Sequence, residues 1–293
     1  MGHEASGTIH AVGGAVTDLQ PGDRVAIEPG FPCRRCRPCK MGRYNLCPAM
    51  KFAADPPDAH GTLCRVFRMP ADFVYKIPDA LSLQEAVLVE PLAVAVHAVR
   101  LAEVRPALHV LVQGAGTIGL LVAAVAKAYG VTRVGVSDVS EAKVEFARGF
   151  LPGVTVMRPD GADNAEEVAA RFRGEMGLGA QGVDAVVECT GVETAMQTGL
   201  YALGAGGVFV QVGMGKALQA LPLLDMFAKE TVFRTAFRYA PRDYEIALDL
   251  LAEGKVSVAP LISSTLPFEE APEAWERTRR GEGIKNLIRG VLD

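Results

Sequence analysis

The chain has 293 residues, 49% of them hydrophobic and 22% charged, and a formal net charge of −4. That balance is ordinary for a globular protein long enough to form two domains. It gives no electrostatic case for nucleic acid or an anionic membrane as partner, and with no signal peptide, transit peptide or lipidation motif visible, a cytoplasmic location is expected.

The chain opens on Met1-Gly-His-Glu-Ala-Ser-Gly7, in which His3 and Glu4 are both competent zinc ligands. Gly7, Gly13 and Gly14 then punctuate residues 8–12 and 16–27, which read as short strands with turns, as in a small β-barrel. Next comes Cys33-Arg-Arg-Cys36-Arg-Pro-Cys39, with Cys47 after seven intervening residues. Four thiolates at these spacings suit a closed tetrahedral Zn²⁺ site, and the arginines and Lys40 nearby favour the thiolate form. A closed shell leaves no open position, so its role is structural; free thiols in a loop are the alternative. A tight cysteine cluster without a secretion signal reads as metal binding rather than disulfides. Residues 51–70 read as a loop and residues 61–67 as a strand returning to the barrel, with Cys64 a small buried residue.

Glu90 stands between apolar runs, directly before Pro91. A buried carboxylate needs a metal, a partner or a proton, whereas a solvated helix start needs none of these. His97 reads as structural. Gly114-Ala-Gly-Thr-Ile-Gly119 then separates a strand-like run over 108–113 from a helix-like run over 120–129. Gly114 permits the sharp turn and Gly116 lets the backbone approach a pyrophosphate. Thr117 and Ile118 open the helix, and Gly119 lets helix and strand pack closely. The helix N-terminus offers free N–H groups and its positive dipole end to the anion. A second strand over 133–137 ends at Asp138, about 20 residues after the glycines, where a carboxylate accepts hydrogen bonds from an adenosine ribose and repels a ribose phosphate. NAD is therefore expected over NADP. Residues 106–126 contain no Asp, Glu, Lys or Arg, but the glycine turn and the switch of pattern argue against a membrane span.

Lys143 can reach an adenosine phosphate or ribose; a solvated surface lysine is an equally good reading. Residues 184–191 and 207–213 read as strands whose ends line a ligand crevice, with Cys189 in the core or the pocket wall. Phe237-Arg238-Tyr239 precedes an amphipathic helix over 244–251, and residues 255–262 and 285–289 read as strands returning to the first domain.

Gly2-His3-Glu4, Gly7, Gly13 and Val16, at their fixed spacing, together resemble the signature of zinc-dependent alcohol dehydrogenases of the medium-chain dehydrogenase/reductase superfamily, and the cysteine cluster resembles its structural zinc lobe. Glu90-Pro-Leu resembles the polyol and butanediol dehydrogenases, and Phe237-Arg-Tyr the sorbitol and xylitol dehydrogenases. The resemblance implies an α/β fold: a Rossmann-type doubly wound parallel sheet plus a GroES-like β-barrel catalytic domain. It assigns residues 1–91 and 237–293 to the catalytic domain and residues 92–236 to NAD binding. It implies a catalytic zinc at His3, Glu4 and Glu90, with Glu90 bound directly or through water, besides the structural zinc at Cys33, Cys36, Cys39 and Cys47. Arg238 and Tyr239 would line a polyol pocket, and the backbone at Val212 and Gly213 would hold the nicotinamide carboxamide. A homo-oligomer, dimer or tetramer, is implied as well. Family members carry a further segment before Gly-His-Glu, with barrel strands and a cysteine ligand of the catalytic zinc. An incomplete barrel and a site short of one thiolate are therefore expected. The expected reaction is hydride transfer from a polyol secondary hydroxyl to NAD⁺, giving a ketose. A butanediol or short-chain alcohol dehydrogenase on the same scaffold, and a truncated, inactive NAD-binding protein, are the alternatives.

Overall fold

The glycine turn at Gly114 lies between a strand and a helix in the computed structural model, which describes residues 1–57, 59–159 and 164–291. Contacts divide the chain into two units, Met1–Ala93 with Arg238–Asp293, and Val94–Phe237.

The first unit begins with β1 (Ala5–Thr8), β2 (Arg24–Ile27), β3 (Gly30–Phe31), a helical turn α1 (Arg37–Lys40), β4 (Lys51–Phe52), β5 (Val74–Lys76) and α2 (Leu83–Val87). β1, β2 and β5 form an antiparallel sheet with Ala5 opposite Ile27 and Val25 opposite Lys76. Ser82 caps α2 in a reciprocal capping box with Glu85, satisfying donors that the first turn leaves open. Several sequence expectations fail here: the strand over 16–27 begins only at Arg24, and Lys51–Phe52, read as loop, pair as β4. Residues 8–12 do not form a strand of their own: β1 ends at Thr8 opposite Arg24, Ile9 adds a last pair of bonds by donating to the Asp23 carbonyl and accepting from the Gly22 N–H, and Gly22 turns the chain with φ +93°. Residues 61–67 form no strand either: Thr62 and Leu63 donate to the carbonyls of Gly2 and Met1, and Cys64 turns back to the Thr62 carbonyl. Beyond them Val66 is 65% exposed and Cys64, expected to be buried, is exposed too, so no apolar face holds the segment to a sheet.

α3 (Val89–Leu101) leads into the second unit, where strands and helices alternate: β6 (His109–Gln113), α4 (Thr117–Ala128), β7 (Arg133–Ser137), α5 (Glu141–Phe150), β8 (Thr155–Met157), α6 (Ala165–Glu175), β9 (Val183–Glu188), α7 (Glu193–Ala202), β10 (Leu203–Gln211), α8 (Leu223–Ala228) and β11 (Val232–Thr235). The six strands pair in parallel in the order β11-β10-β9-β6-β7-β8. The order reverses between β6 and β9, the switch point at which a doubly wound sheet opens a crevice beyond its strand ends. Val110, Leu111 and Val112 of β6 and Leu120 and Leu121 of α4 are fully buried, which explains the continuous apolar runs. Among the described residues no helix is long and apolar enough to cross a membrane.

The chain ends in the first unit with α9 (Asp243–Ala252), β12 (Ile262–Leu266), α10 (Ala271–Arg279) and β13 (Lys285–Ile288), the two strands running parallel. The strand expected over 255–262 starts only at Ile262. Pro260, with fixed φ and no N–H, sits in a 3-10 turn at Ala259–Leu261 instead.

A Cβ on Gly119 would lie 1.8 Å from the Gly114 carbonyl oxygen, whereas one on Gly174, in α6, meets nothing within 4 Å. In urea unfolding, Gly119→Ala is expected to destabilise by about 1–3 kcal/mol, and Gly174→Ala to stabilise by about 0.5–1 kcal/mol.

Candidate active site

His3 and Glu4 directly precede β1, and Glu90 lies in the first turn of α3. An acid there suits the helix dipole, and Pro91 costs no hydrogen bond so near the start. Ligand atoms of His3, Glu4 and Glu90 all lie within 4.8 Å of one another. Glu90 is 6% exposed. Desolvation, and then the charge of Glu4, hold its carboxyl well above the ordinary carboxylate range. Desolvation holds the His3 imidazole below its usual value, so a neutral nitrogen is available. Lys285, at the start of β13, forms an ion pair with Glu4. A neutral imidazole and two crowded carboxylates form a donor set that a divalent cation satisfies, and the set fits zinc.

Arg238 and Tyr239 stand just before α9. Arg238 takes a left-handed backbone, φ +59°, and its guanidinium carbon lies 3.9 Å from the Phe52 ring centroid. The same Phe52 ring is 5.6 Å from that of His3, so one aromatic residue on β4 touches both the metal-ligand cluster and the arginine. The Tyr239 ring is 2% exposed and packs edge-on against Tyr244 at 4.9 Å. Its buried hydroxyl makes no hydrogen bond of normal geometry among the described residues. Arg238 and Tyr239 line a shallow recess with Gly30, Tyr44, Asn45, Met50 and Phe52.

Behind the recess Glu28 is fully buried. Tyr44 and Tyr75 donate to its two oxygens at 2.5 and 2.8 Å. Burial outweighs both donors and raises its pKa from 4.5 to about 7. Tyr244 stacks on Tyr75 at 5.2 Å and donates to the Ile27 carbonyl at 3.1 Å.

The sulfurs of Cys33, Cys36, Cys39 and Cys47 also lie mutually within 4.8 Å. Cys36 is 3.3 Å from Cys39 and 3.7 Å from Cys47, sulfur to sulfur. A tetrahedron of Zn–S bonds of about 2.3 Å has edges of about 3.8 Å, so the set fits zinc. Backbone N–H groups of Cys33 and Cys36 point at the sulfurs of Cys47 and Cys33, at 3.3 and 3.4 Å. Backbone donors from Arg35 and Cys36 pull the Cys33 thiol down to about 6, while desolvation and the neighbouring thiols push Cys39 up to about 12. Four sulfurs this close ionise together only around a cation.

In the second unit Gly114 turns at φ +96°. Gly116 is the N-cap of α4, and Thr117, Ile118 and Gly119 form its first turn. Asp138 accepts from the N–H groups of Ala115 and Ser140, both at 2.8 Å, so it braces the glycine turn. Lys143 is half-buried near the start of α5. The N–H groups of Val212 and Gly213, just past β10, donate to the Glu188 carbonyl at 2.8 and 2.9 Å.

The structure thus brings His3, Glu4 and Glu90 together with Arg238 and Tyr239 in one unit, and the four cysteines together in the same unit. Sequence reasoning missed Phe52, Lys285, Tyr44 and Glu28. No spacing marks them; a lone aromatic in a loop or a lone lysine opening a strand carries no signal until the fold places it.

Residues 1–79 match the family model described as the alcohol dehydrogenase GroES-like domain, and residues 117–253 that described as zinc-binding dehydrogenase. The chain belongs to the zinc-dependent alcohol dehydrogenases of the medium-chain dehydrogenase/reductase superfamily. Among individual proteins, it is 46% identical over 291 residues to D-xylulose reductase A of Aspergillus oryzae, covering 99% of this chain and 80% of that protein. An oxidoreductase/dehydrogenase of unknown specificity from Escherichia coli superposes with a TM-score of 0.90 at 33% identity, covering 99% of this chain and 82% of that one. L-Idonate 5-dehydrogenase from Escherichia coli superposes with a TM-score of 0.86 at 28% identity, covering 98% and 81%.

Glu28 gives a pH test. Its folded pKa lies above the unfolded value, so the unfolded state releases the proton first. Folding stability should fall by up to about 3 kcal/mol as pH rises from 4.5 to 7 and then level off. Thermal melts should show Glu28→Gln lacking that loss and gaining on the parent at pH 8.

Proposed function

We propose that this chain is a zinc- and NAD-dependent polyol dehydrogenase that oxidises a secondary hydroxyl of a pentitol such as xylitol to the ketose, D-xylulose, or runs the reverse reduction. One observation carries the reading: the His3–Glu4–Glu90 cluster shares Phe52 with a recess walled by Arg238 and Tyr239. The name of the Aspergillus relative supports the choice of polyol. Residues 1–91 and 237–293 form the catalytic domain and residues 92–236 the NAD-binding domain. The protein is a cytoplasmic homo-oligomer.

His3, Glu4 and Glu90 hold the catalytic zinc, and Cys33, Cys36, Cys39 and Cys47 the structural one. Gly114, Gly116, Thr117, Ile118 and Gly119 take the NAD pyrophosphate. Asp138 and Lys143 take the adenosine ribose side, and Val212 and Gly213 the carboxamide. When bound, zinc supplies the Lewis acidity that lowers the pKa of the substrate hydroxyl, and NAD⁺ accepts the hydride. The chain's own side chains select and orient. Lys285 holds Glu4 in place. The face of Phe52 fixes the Arg238 guanidinium, which donates to substrate oxygens. Tyr239 turns a buried hydroxyl toward a second substrate hydroxyl. The proton leaves through water or a relay linked to Glu90. A polyol can meet both groups with separate hydroxyls; a simple alcohol leaves the buried Tyr239 hydroxyl without a partner, which costs it affinity.

In a panel of xylitol, sorbitol, 2,3-butanediol and ethanol with NAD⁺, the polyols should give the highest kcat/KM, and a preference for butanediol or ethanol would refute the substrate class. Arg238→Ala should raise KM for the polyol by about tenfold or more and leave KM for NAD⁺ unchanged. Metal analysis should find about two zinc per chain in the parent and about one in Cys47→Ser.

A further inference from the structure

Glu188 is a fully buried carboxylate at the end of β9 with no part in the chemistry above. Four donors converge on it. The N–H of Thr190 at 2.6 Å and the Thr190 hydroxyl meet one oxygen. The N–H of Gly191 at 2.8 Å and the Gln211 side-chain amide at 2.6 Å meet the other. The same Gln211 nitrogen also donates to the Gly213 carbonyl at 2.7 Å. The backbone carbonyl of Glu188 takes the N–H groups of Val212 and Gly213. One residue therefore grips, through its side chain and its main chain, the turns that follow β9 and β10.

Those turns touch backbone to backbone. A Cβ on Gly213 would lie 2.2 Å from the Gly191 nitrogen, and one on Gly215 would lie 1.8 Å from the Gly191 oxygen. Gln219 closes the far side, donating to the Gly191 carbonyl at 3.1 Å. Where the glycines meet, no side chain separates the turns, so hydrogen bonds set their spacing, and the Glu188 carboxylate is the acceptor they share. Charge-assisted bonds of this kind are about twice as strong as neutral ones. An amide in its place offers a single acceptor oxygen and sets its NH₂ against two of the four donors, forcing at least one turn away.

We propose that Glu188 is a positioning residue for the nicotinamide end of the cofactor. It fixes residues 212–215 by clamping them to the Thr190–Gly191 turn, so that the backbone at Val212 and Gly213 is preorganised before the cofactor arrives. This rests on the reading of Val212 and Gly213 as the carboxamide side of an NAD site. The adenosine side is held by other bonds, those of Asp138 to the glycine turn, so the two ends of the cofactor respond differently.

The test is calorimetric titration of the zinc-loaded protein with NAD⁺ and, separately, with ADP-ribose, which lacks the nicotinamide. Glu188→Gln should raise the Kd for NAD⁺ about tenfold and change that for ADP-ribose by less than about twofold. Gln211→Met removes one donor and leaves the carboxylate three, so it should weaken NAD⁺ by a smaller factor with the same selectivity, and it carries the test should Glu188→Gln fail to fold. Equal weakening of both ligands would make the residue a general stabiliser of the crevice and overturn the proposal, as would NAD⁺ affinity unchanged in both variants. A parent protein that binds ADP-ribose but gains nothing from the nicotinamide would overturn the underlying reading of Val212 and Gly213, and one that binds neither ligand would remove the NAD site altogether.

Discussion

A carboxylate withdrawn from water must be answered by donors, a cation or a proton, and this structure is built around three that are. Glu28, Glu90 and Glu188 are all buried, and each receives a different answer. Glu188 takes four hydrogen-bond donors from two turns and the neighbouring strand. Glu28 takes two tyrosine hydroxyls, too few to offset its burial, and moves toward the neutral form. Glu90 faces another carboxylate and an imidazole, an arrangement that makes sense around a metal. Each surrounding set of elements is held in place by the need to satisfy that one group.

The legible parts of the sequence were those in which chemistry repeats at fixed spacing. The cysteine cluster, the glycine turn with its flanking strand and helix, and the acid after the second strand all impose local geometry on a short stretch. The alternation of strands and helices in the second unit followed from apolar runs that fill both faces of a parallel sheet. What stayed hidden was set by pairing across long separations. Residues 8–12 look like a strand by composition, yet Thr8 closes β1 and Ile9 meets only the turn at Gly22 and Asp23. Of residues 61–67, Thr62 and Leu63 pair with the backbone of Gly2 and Met1, and no strand follows. Pro260 delays a strand that the valines before it suggest.

The site was legible to the same degree. His3, Glu4 and Glu90 are legible as ligands through the family resemblance their motifs carry, not from the residues alone. Phe52, Lys285 and Glu28 act through neighbours 16 to 281 positions away, such as Tyr44 on Glu28 and Lys285 on Glu4. A pattern confined to one window cannot carry such pairs; they are properties of the fold.

Tyr44 and Asn45 lie between Cys39 and Cys47, within the cysteine lobe, yet both line the recess beside Arg238 and Tyr239. A lobe of this kind is usually set apart from catalysis as scaffold. Here its inner surface is also a wall of the recess, so drift in the loop between the cysteines is not neutral for substrate choice. Lineages diverging in which sugar alcohol they accept can carry the record of that divergence in the lobe as readily as in the residues that touch the metal.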